Sequence, residues 1–255
     1  MEQKKSCSIR AALSNMTCEV KLAYILIAVL FALVLTALCC KSCVDKKIAA
    51  WVDKNPKAIL ESAQRFVERE QAAAQRQQSE TAGVYLKDNF DRVADETNTG
   101  VANPNGTKIV VEFYDYNCGY CKMAAKAIGE VLGEDRDVKV VFRDYPILSE
   151  ASVTAAQYSI AVAMAEPKKF LAFHENLFSG NAQSVQGIRA ALTKSNISVE
   201  KIEKTLKNRK ADIEKRINDN REIAGSLGLG GTPAFIINGN LTPGYIDAAQ
   251  IRSML

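Results

Sequence analysis

Only two of the seven cysteines in this 255-residue chain, Cys118 and Cys121, lie beyond residue 43, in the run Cys118-Gly119-Tyr120-Cys121. A disulfide framework needs partners distant in sequence, because closing a long loop is what restricts the unfolded chain. A Cys-x-x-Cys pair closes almost no loop, so its use is chemical: reversible oxidation of two thiols to one disulfide. A structural zinc site takes about four ligands. The same stretch adds only His174 to the two cysteines, so no metal and no other cofactor is expected.

The flanking residues say what must hold this pair. Lys108-Ile109-Val110-Val111-Glu112-Phe113-Tyr114-Asp115 is β-branched and aromatic, and Asn103-Pro104-Asn105-Gly106 ahead of it is a turn signal, which predicts a buried strand. Lys122 to Leu132 is rich in Ala and Lys, with Met123, Ala127 and Val131 at helical spacing. Cys118 therefore stands at the N-terminus of a helix, where unpaired N–H groups and the dipole favour a thiolate. This makes Cys118 the attacking sulfur and Cys121, inside the first turn, the resolving one.

With these elements in place, the chain resembles the DsbA-like branch of the thioredoxin-fold thiol–disulfide oxidoreductases of the bacterial cell envelope. The likeness rests on the strand with Cys118-Gly119-Tyr120-Cys121, on Gly231-Thr232-Pro233-Ala234-Phe235-Ile236-Ile237-Asn238-Gly239, and on Gly244-Tyr245 before a closing helix. It covers roughly residues 100–255. It implies an α/β thioredoxin fold with an inserted helical domain at about 149–227. Pro233 would be a cis-proline packed against the disulfide, with the Thr232 backbone free to pair with a substrate strand. Glu112, six residues before Cys118, matches the family's buried acid and would relay the proton of Cys121. Cysteine-containing envelope proteins would be the clients, with a membrane redox partner.

Between the second strand (Val138 to Arg143, then Asp144-Tyr145-Pro146) and the proline loop the pattern is helical: Ser149 to Ala165, Lys168 to Phe178, Val185 to Leu192, and one long helix from Val199 to Leu227. A parallel strand pair joined by helices agrees independently with the implied fold. His174 has no positional match to the family and reads as a structural or partly exposed helix residue. Strongly oxidising relatives carry a histidine between the cysteines; here the pair is Gly119-Tyr120, with Thr232 rather than valine before the proline. Weaker thiolate stabilisation means a less oxidising couple, so the resemblance points to an isomerase or reductase. A DsbA-type oxidase is the alternative. A metal-binding or adhesive envelope protein that inherited the fold is a third reading, in which the two thiolates would take Cu(I).

The other end of the chain reads differently. After a short segment 1–21, Leu22 to Cys40 holds 19 residues without a charge, flanked by Lys21 and Lys41. That length nearly spans a hydrocarbon core of about 30 Å at about 1.5 Å per residue. It exceeds the apolar core of a signal peptide, about 7–15 residues, so an uncleaved single-pass transmembrane helix is expected. The resemblance places the catalytic domain in the periplasm. No role is read into Cys7, Cys18, Cys39, Cys40 or Cys43. Residues 44–95 read as a helical stalk: Asn55-Pro56 opens a helix, Leu60, Ala63, Val67 and Ala74 make a narrow apolar stripe until Gly83, and Val84 to Val93 forms a second short segment. Such a stripe is no core by itself: it packs on its own domain or is a solvated spacer, or, as a homo-oligomer through residues 56–93, it packs on other copies. Asn55-Pro56-Lys57-Ala58-Ile59-Leu60-Glu61 resembles the N-terminal region of a subgroup of DsbA-like proteins that oligomerise through such helices.

Charge excludes a general nucleic-acid field. Five of the 33 Lys and Arg and two of the 29 acids lie in residues 1–43, leaving 28 against 27 in the rest, close to neutral. No Gly-rich phosphate loop, Ser/His/Asp constellation or internal repeat is present.

Overall fold

The apolar run before the cysteine pair forms the central strand of a five-stranded sheet. The computed structural model describes the backbone of residues 18–255 and the side chains of residues 22–36 and 44–255; residues 1–17, and the side chains of Cys7, Cys18, Cys39, Cys40 and Cys43, lie outside the described residues. Strand β1 is Gly100–Ala102, β2 Lys108–Tyr114, β3 Val138–Asp144, β4 Ala234–Ile237 and β5 Asn240–Pro243, in the order β1-β3-β2-β4-β5. The β2–β3 pair is parallel and the other pairs are antiparallel. The parallel pair demands a crossover, which helix α3 (Gly119–Glu134) supplies.

Side chains alternate along β2, and both faces are covered, so the strand reads as a near-continuous apolar run. Val110 and Tyr114 share a core with α3, with α4 (Glu150–Ala165), with α5 (Phe170–Ser179) and with the closing helix near Ile251. Val111 and Phe113 share a second core on the opposite face with Ala82, Leu86 and Val93.

Those last three residues belong to the stalk. Helix α1 spans Cys18–Lys54 and α2 spans Pro56–Val93. The boundary between compact units falls between Gln71 and Ala72, so the second part of α2 is built into the thioredoxin unit. Pro56 opens the helix as expected, but Gly83 does not end it. No atom lies within 4 Å of where its Cβ would be, and burial of Ala82 and Leu86 on either side outweighs the roughly 1 kcal/mol that glycine costs a helix. The break that exists is at Asn89 (φ −127°, ψ 15°). Gln78 Nε2 donates to the Gly228 carbonyl at 2.7 Å. The carbonyls left unpaired where α2 ends meet Arg143, which is fully buried. Its Nη2 donates to the carbonyls of Arg92, Val93 and Asp95 at 2.8, 2.8 and 2.9 Å.

The insertion contains α4, a short 3-10 turn, α5, α6 (Val185–Lys194), α7 (Val199–Asn208) and α8 (Lys210–Ser226). The single long helix expected over 199–227 is in fact two, joined at Arg209 (φ −115°, ψ 23°). The reason is packing. Ile202 of α7 and Ile213 and Ile217 of α8 belong to the first core, whereas Ile223 and Ala224 belong to the second. The turn at Arg209 leaves α7 on the first core and sets α8 on a path that begins on that core and ends on the second. Strand β1 had no counterpart in the sequence reading, since three residues show no alternation. Its Gly100 is required, because a Cβ there would meet the Phe170 ring.

In the first unit the described apolar residues of α1, including Leu22, Ile25, Leu26, Leu30 and Phe31, are exposed. Among the described residues no helix is long and apolar enough to cross a membrane. The expected span of residues 22–40 runs into 37–40, whose side chains lie outside them.

Candidate active site

Asp115 shapes the loop that presents the cysteines. Its Oδ1 accepts the Asn117 N–H at 2.8 Å, and its carbonyl accepts the Cys118 N–H at 3.0 Å. Its Oδ2 accepts the N–H groups of Ile147 and Leu148 at 2.9 and 3.1 Å, which ties the loop to the segment after β3. Cys118 is the N-cap of α3, in extended conformation (φ −87°, ψ 122°), and its side chain makes no capping hydrogen bond. Gly119 and Tyr120 follow, Tyr120 with its ring largely exposed. Ala124, Ala125 and Ala127 on the buried face let the helix approach the sheet closely, which sinks Cys121 completely.

The second chain segment leads into β4. The Thr232–Pro233 peptide bond is cis, and the Pro233 carbonyl accepts the Gly244 N–H at 2.9 Å. The Cys118 thiol donates to the Thr232 carbonyl at 3.3 Å. The Thr232 hydroxyl is buried without a partner. Both cysteines are free thiols, Cys118 partly exposed and Cys121 buried.

Glu112 lies on the sheet face beneath them, fully buried, with neither carboxylate oxygen hydrogen-bonded. Burial pushes its carboxyl up to about 8, with Cys118 and Asp144 adding to the rise. The Cys121 thiol is pushed far up, first by burial and then by Glu112. A thiol that resists ionisation beside an acid whose pKa is also raised is a pair between which a proton can move once the acid is ionised. The structure thus brings Cys118, Gly119, Tyr120, Cys121, Glu112, Thr232 and Pro233 into one place.

The sequence reading missed the polar cluster behind this site. Asp144, Ser159, Tyr114 and Tyr116 are buried and hydrogen-bonded together, with Ser159 donating to Asp144 Oδ2 at 3.2 Å. His174 joins them. It is wholly buried rather than partly exposed, its Nδ1 lies 3.0 Å from the Tyr116 hydroxyl, and burial pulls its imidazole down to about 3. It sits against the rings of Tyr114, Phe142 and Phe178, so its role is packing in the neutral form. Asp144 beside Tyr145-Pro146 looks like a turn residue in sequence, which hid it. A groove of about 330 Å³ opens beside Cys118, lined in part by Tyr116, Asn117, Lys122, Phe178 and Asn181. Among the described residues no cluster of three metal-ligating side chains occurs.

Comparison with known proteins follows the same outline. The solved thiol-disulfide exchange protein alpha-DsbA2 from Wolbachia pipientis is 29% identical, with a TM-score of 0.64 over 69% of this chain and 94% of that one. Proteus mirabilis ScsC in a transitional conformation is 25% identical, with a TM-score of 0.59 over 82% of this chain and 92% of that one. Disulfide bond formation protein D of Bacillus subtilis is 26% identical over 157 residues, 57% of this chain and 70% of its own. The chain also matches Na(+)/H(+) antiporter NhaA 1 of Mycobacterium at 27% identity over 156 residues, but spans only 25% of that protein's length. The family described as DSBA-like thioredoxin domain matches residues 109–255. Since that match runs from the central strand through the closing helix and takes in more than half of the sequence, the chain belongs to the DSBA-like thioredoxin domain family.

Proposed function

We propose that this chain is a membrane-tethered thiol–disulfide oxidoreductase acting on cysteine-containing proteins outside the cytoplasm, and that it works chiefly as a disulfide isomerase or reductase. The observation that carries the activity is the thiol of Cys118 at a helix N-terminus, resting on the carbonyl of the cis-proline loop. Cys118 thiolate attacks one sulfur of a client disulfide, forming a mixed disulfide and releasing the other client sulfur as a thiolate. The Thr232 backbone pairs with the client strand. In the ionised form of Glu112 the carboxylate then takes the Cys121 proton, Cys121 attacks Cys118 Sγ, and the second client thiolate leaves and takes a proton from water. The client disulfide has gained two electrons and the cysteine pair has lost two. In isomerisation the released client thiolate attacks a different client disulfide instead, the client thiolate freed there attacks the mixed disulfide, and Cys118 leaves as a thiolate with no net change of oxidation state.

Gly119-Tyr120 and Thr232 support the isomerase or reductase direction over the oxidase, for the reason of thiolate stabilisation given above. Exposed apolar side chains of Tyr120, Ile147, Leu148 and Tyr245 sit on segments hydrogen-bonded to the two active loops, which suits unfolded clients. A partner in the membrane would return the pair to its reduced form. The exposed apolar side chains of α1 from Leu22 to Leu35 support a single-pass inner-membrane anchor, and the family likeness supports a catalytic domain in the periplasm. Self-association is assigned to the first part of α2, where Ile59, Leu60, Phe66 and Val67 are exposed. Ala82, Leu86 and Val93 further along are buried in their own domain. Several redox sites around a shared cavity would hold a client while its disulfides rearrange.

The test is refolding of a scrambled-disulfide substrate by the full chain in detergent, beside a Leu60→Asp/Phe66→Asp variant. Isomerisation that falls in the variant while simple reductase activity survives is expected. Rapid oxidation of a reduced substrate without rearrangement by either protein would instead make the chain an oxidase and the stalk a tether.

A further inference from the structure

Two carboxyl groups, not one, lie beneath the cysteine pair. In the β2–β3 register Glu112 stands opposite Phe142 and Tyr114 opposite Asp144. On one sheet face Glu112 and Asp144 are therefore diagonal neighbours, with backbone positions roughly 8 Å apart by strand spacing and rise. Both are buried. Neither has a lysine or arginine among its hydrogen-bond or ion-pair partners among the described residues. Two acids held this close in a dry site do not both ionise freely.

Their surroundings differ in a way that decides where the proton goes. Asp144 Oδ2 accepts the Ser159 hydroxyl at 3.2 Å. Ser159 in turn accepts the Tyr116 hydroxyl at 3.2 Å, and the Tyr116 oxygen lies 3.0 Å from His174 Nδ1. With His174 as the Nδ1–H tautomer, every donor in this chain points toward Asp144. Glu112 receives no hydrogen bond at all. The titratable groups around Glu112 are Tyr114 on its own strand, Asp144 from β3, Asp115 and Tyr116 from the loop, Cys118 and Cys121 from α3, and His174 from α5 beyond Tyr116. None is a cation at neutral pH, since burial holds His174 neutral. The hydrogen-bonded acid is thus the better host for the negative charge, and the bare acid the better host for the proton.

We propose that Asp144, anchored by Ser159, forms an acid pair with Glu112 and holds the pair's shared proton on Glu112, on the side of Cys121. Asp144 is a positioning residue: it touches no reacting sulfur and acts by making Glu112 a stronger base toward the Cys121 thiol. Burial pushes both carboxyls up to about 8, and the two protons leave in steps that belong to the pair: after the first has left, Asp144 carries the charge and Glu112 the proton, and after the second Glu112 is the acceptor for the Cys121 proton. The inference rests on the proton role given to Glu112 above.

The test reads Glu112 directly. In the full-length reduced protein its carboxyl is titrated by infrared difference spectroscopy, with Glu112→Gln identifying the band. Asp144→Asn should lower the Glu112 midpoint by about one pH unit or more. Ser159→Ala keeps both acids, weakens the hold on the Asp144 charge, and should move the midpoint the same way by less; it also serves where Asp144→Asn fails to fold. A Glu112 midpoint unmoved in every variant that folds overturns the proposal. Resolution of a Cys118 mixed disulfide is followed alongside, and its acid limb should move down in pH with the carboxyl. A carboxyl that moves while the limb stays put still supports the acid pair. That outcome removes Glu112 from the thiol reaction instead.

Discussion

The thiol of Cys118 donates to the main-chain carbonyl of Thr232, 3.3 Å away across 114 residues of sequence. The contact joins the helix N-terminus to the cis-proline loop, and it keeps one sulfur at the surface while Cys121 lies fully buried three residues on. Helix geometry explains the division, since the cap residue lies outside the first turn and the third helical residue turns inward.

This asymmetry predicts which sulfur a client meets first. In Cys121→Ser, incubation with a disulfide substrate should accumulate a mixed disulfide on Cys118, seen as a stable mass adduct that dithiothreitol releases. Cys118→Ser should form no adduct and lose exchange down to background. An adduct on Cys121 of the Cys118→Ser variant at a comparable rate would contradict the assignment, because a buried sulfur with a raised pKa is both shielded and protonated.

Glu112 makes the fold pH-dependent with a definite sign. Its carboxyl titrates near 8 in the folded protein and near 4.3 when unfolded. Between those values the folded state keeps a proton that the unfolded state has lost, so stability falls as pH rises from about 4.5 to 8 and is full below that window. Glu112→Gln removes the penalty and should raise stability at pH 8 by roughly 2–4 kcal/mol, with almost no effect at pH 4. Urea denaturation at the two pH values checks this. A destabilised variant at pH 8 would mean that the carboxylate has a partner in the folded state.

The sheet and the redox loop were legible because their signals are local. A β-branched run, a Cys-x-x-Cys at its end and a Thr-Pro ahead of a second β-branched run each sit within a few residues. What escaped depends on contacts distant in sequence. Gly83 looked like a helix stop only because its neighbours Ala82 and Leu86 show no sign in sequence of lying against Val111 and Ile236. The break at Arg209 likewise sets the path by which the following helix runs from one core to the other, while the residues around it are uniformly helical in propensity. Asp144 was hidden by a similar ambiguity: an aspartate at a strand end before Tyr-Pro is ordinarily a turn residue, and its burial follows from helix α4 placing Ser159 beside it.

His174 carries a pH dependence of opposite sign. Burial pulls its imidazole down to about 3, below the unfolded value near 6.5. Between those values the unfolded state binds a proton that the folded state does not, so stability contributed at neutral pH is lost as pH falls. His174→Phe suits the aromatic surroundings and should gain on the wild type by about 2 kcal/mol between pH 6.5 and 4.5. Parallel urea titrations of the two proteins read the difference. A gap that does not change with pH would place a charge-stabilising group near the imidazole.

Arg143 supplies the sharpest test of how the stalk is fixed. The side chain is fully buried and, though burial pulls its guanidinium down to about 10, it stays charged at neutral pH. Its donors satisfy the carbonyls of Arg92, Val93 and Asp95, and Nη1 reaches Asn220 Oδ1 at 3.1 Å. Arg143→Met fills much the same volume but leaves those acceptors buried without donors, at a cost of about 3–5 kcal/mol. At about 2–4 °C per kcal/mol for a domain of this size, thermal unfolding should shift down by on the order of 10 °C. Arg143→Lys keeps the charge yet has a single nitrogen in place of a planar fork, so it should recover only part of the loss. Limited proteolysis should then cut Arg143→Met after Arg92, where the helix end has lost its donors. An unchanged melting temperature would mean that Ala82, Leu86 and Val93 hold the helix by apolar contact alone, with the carbonyls turned to water.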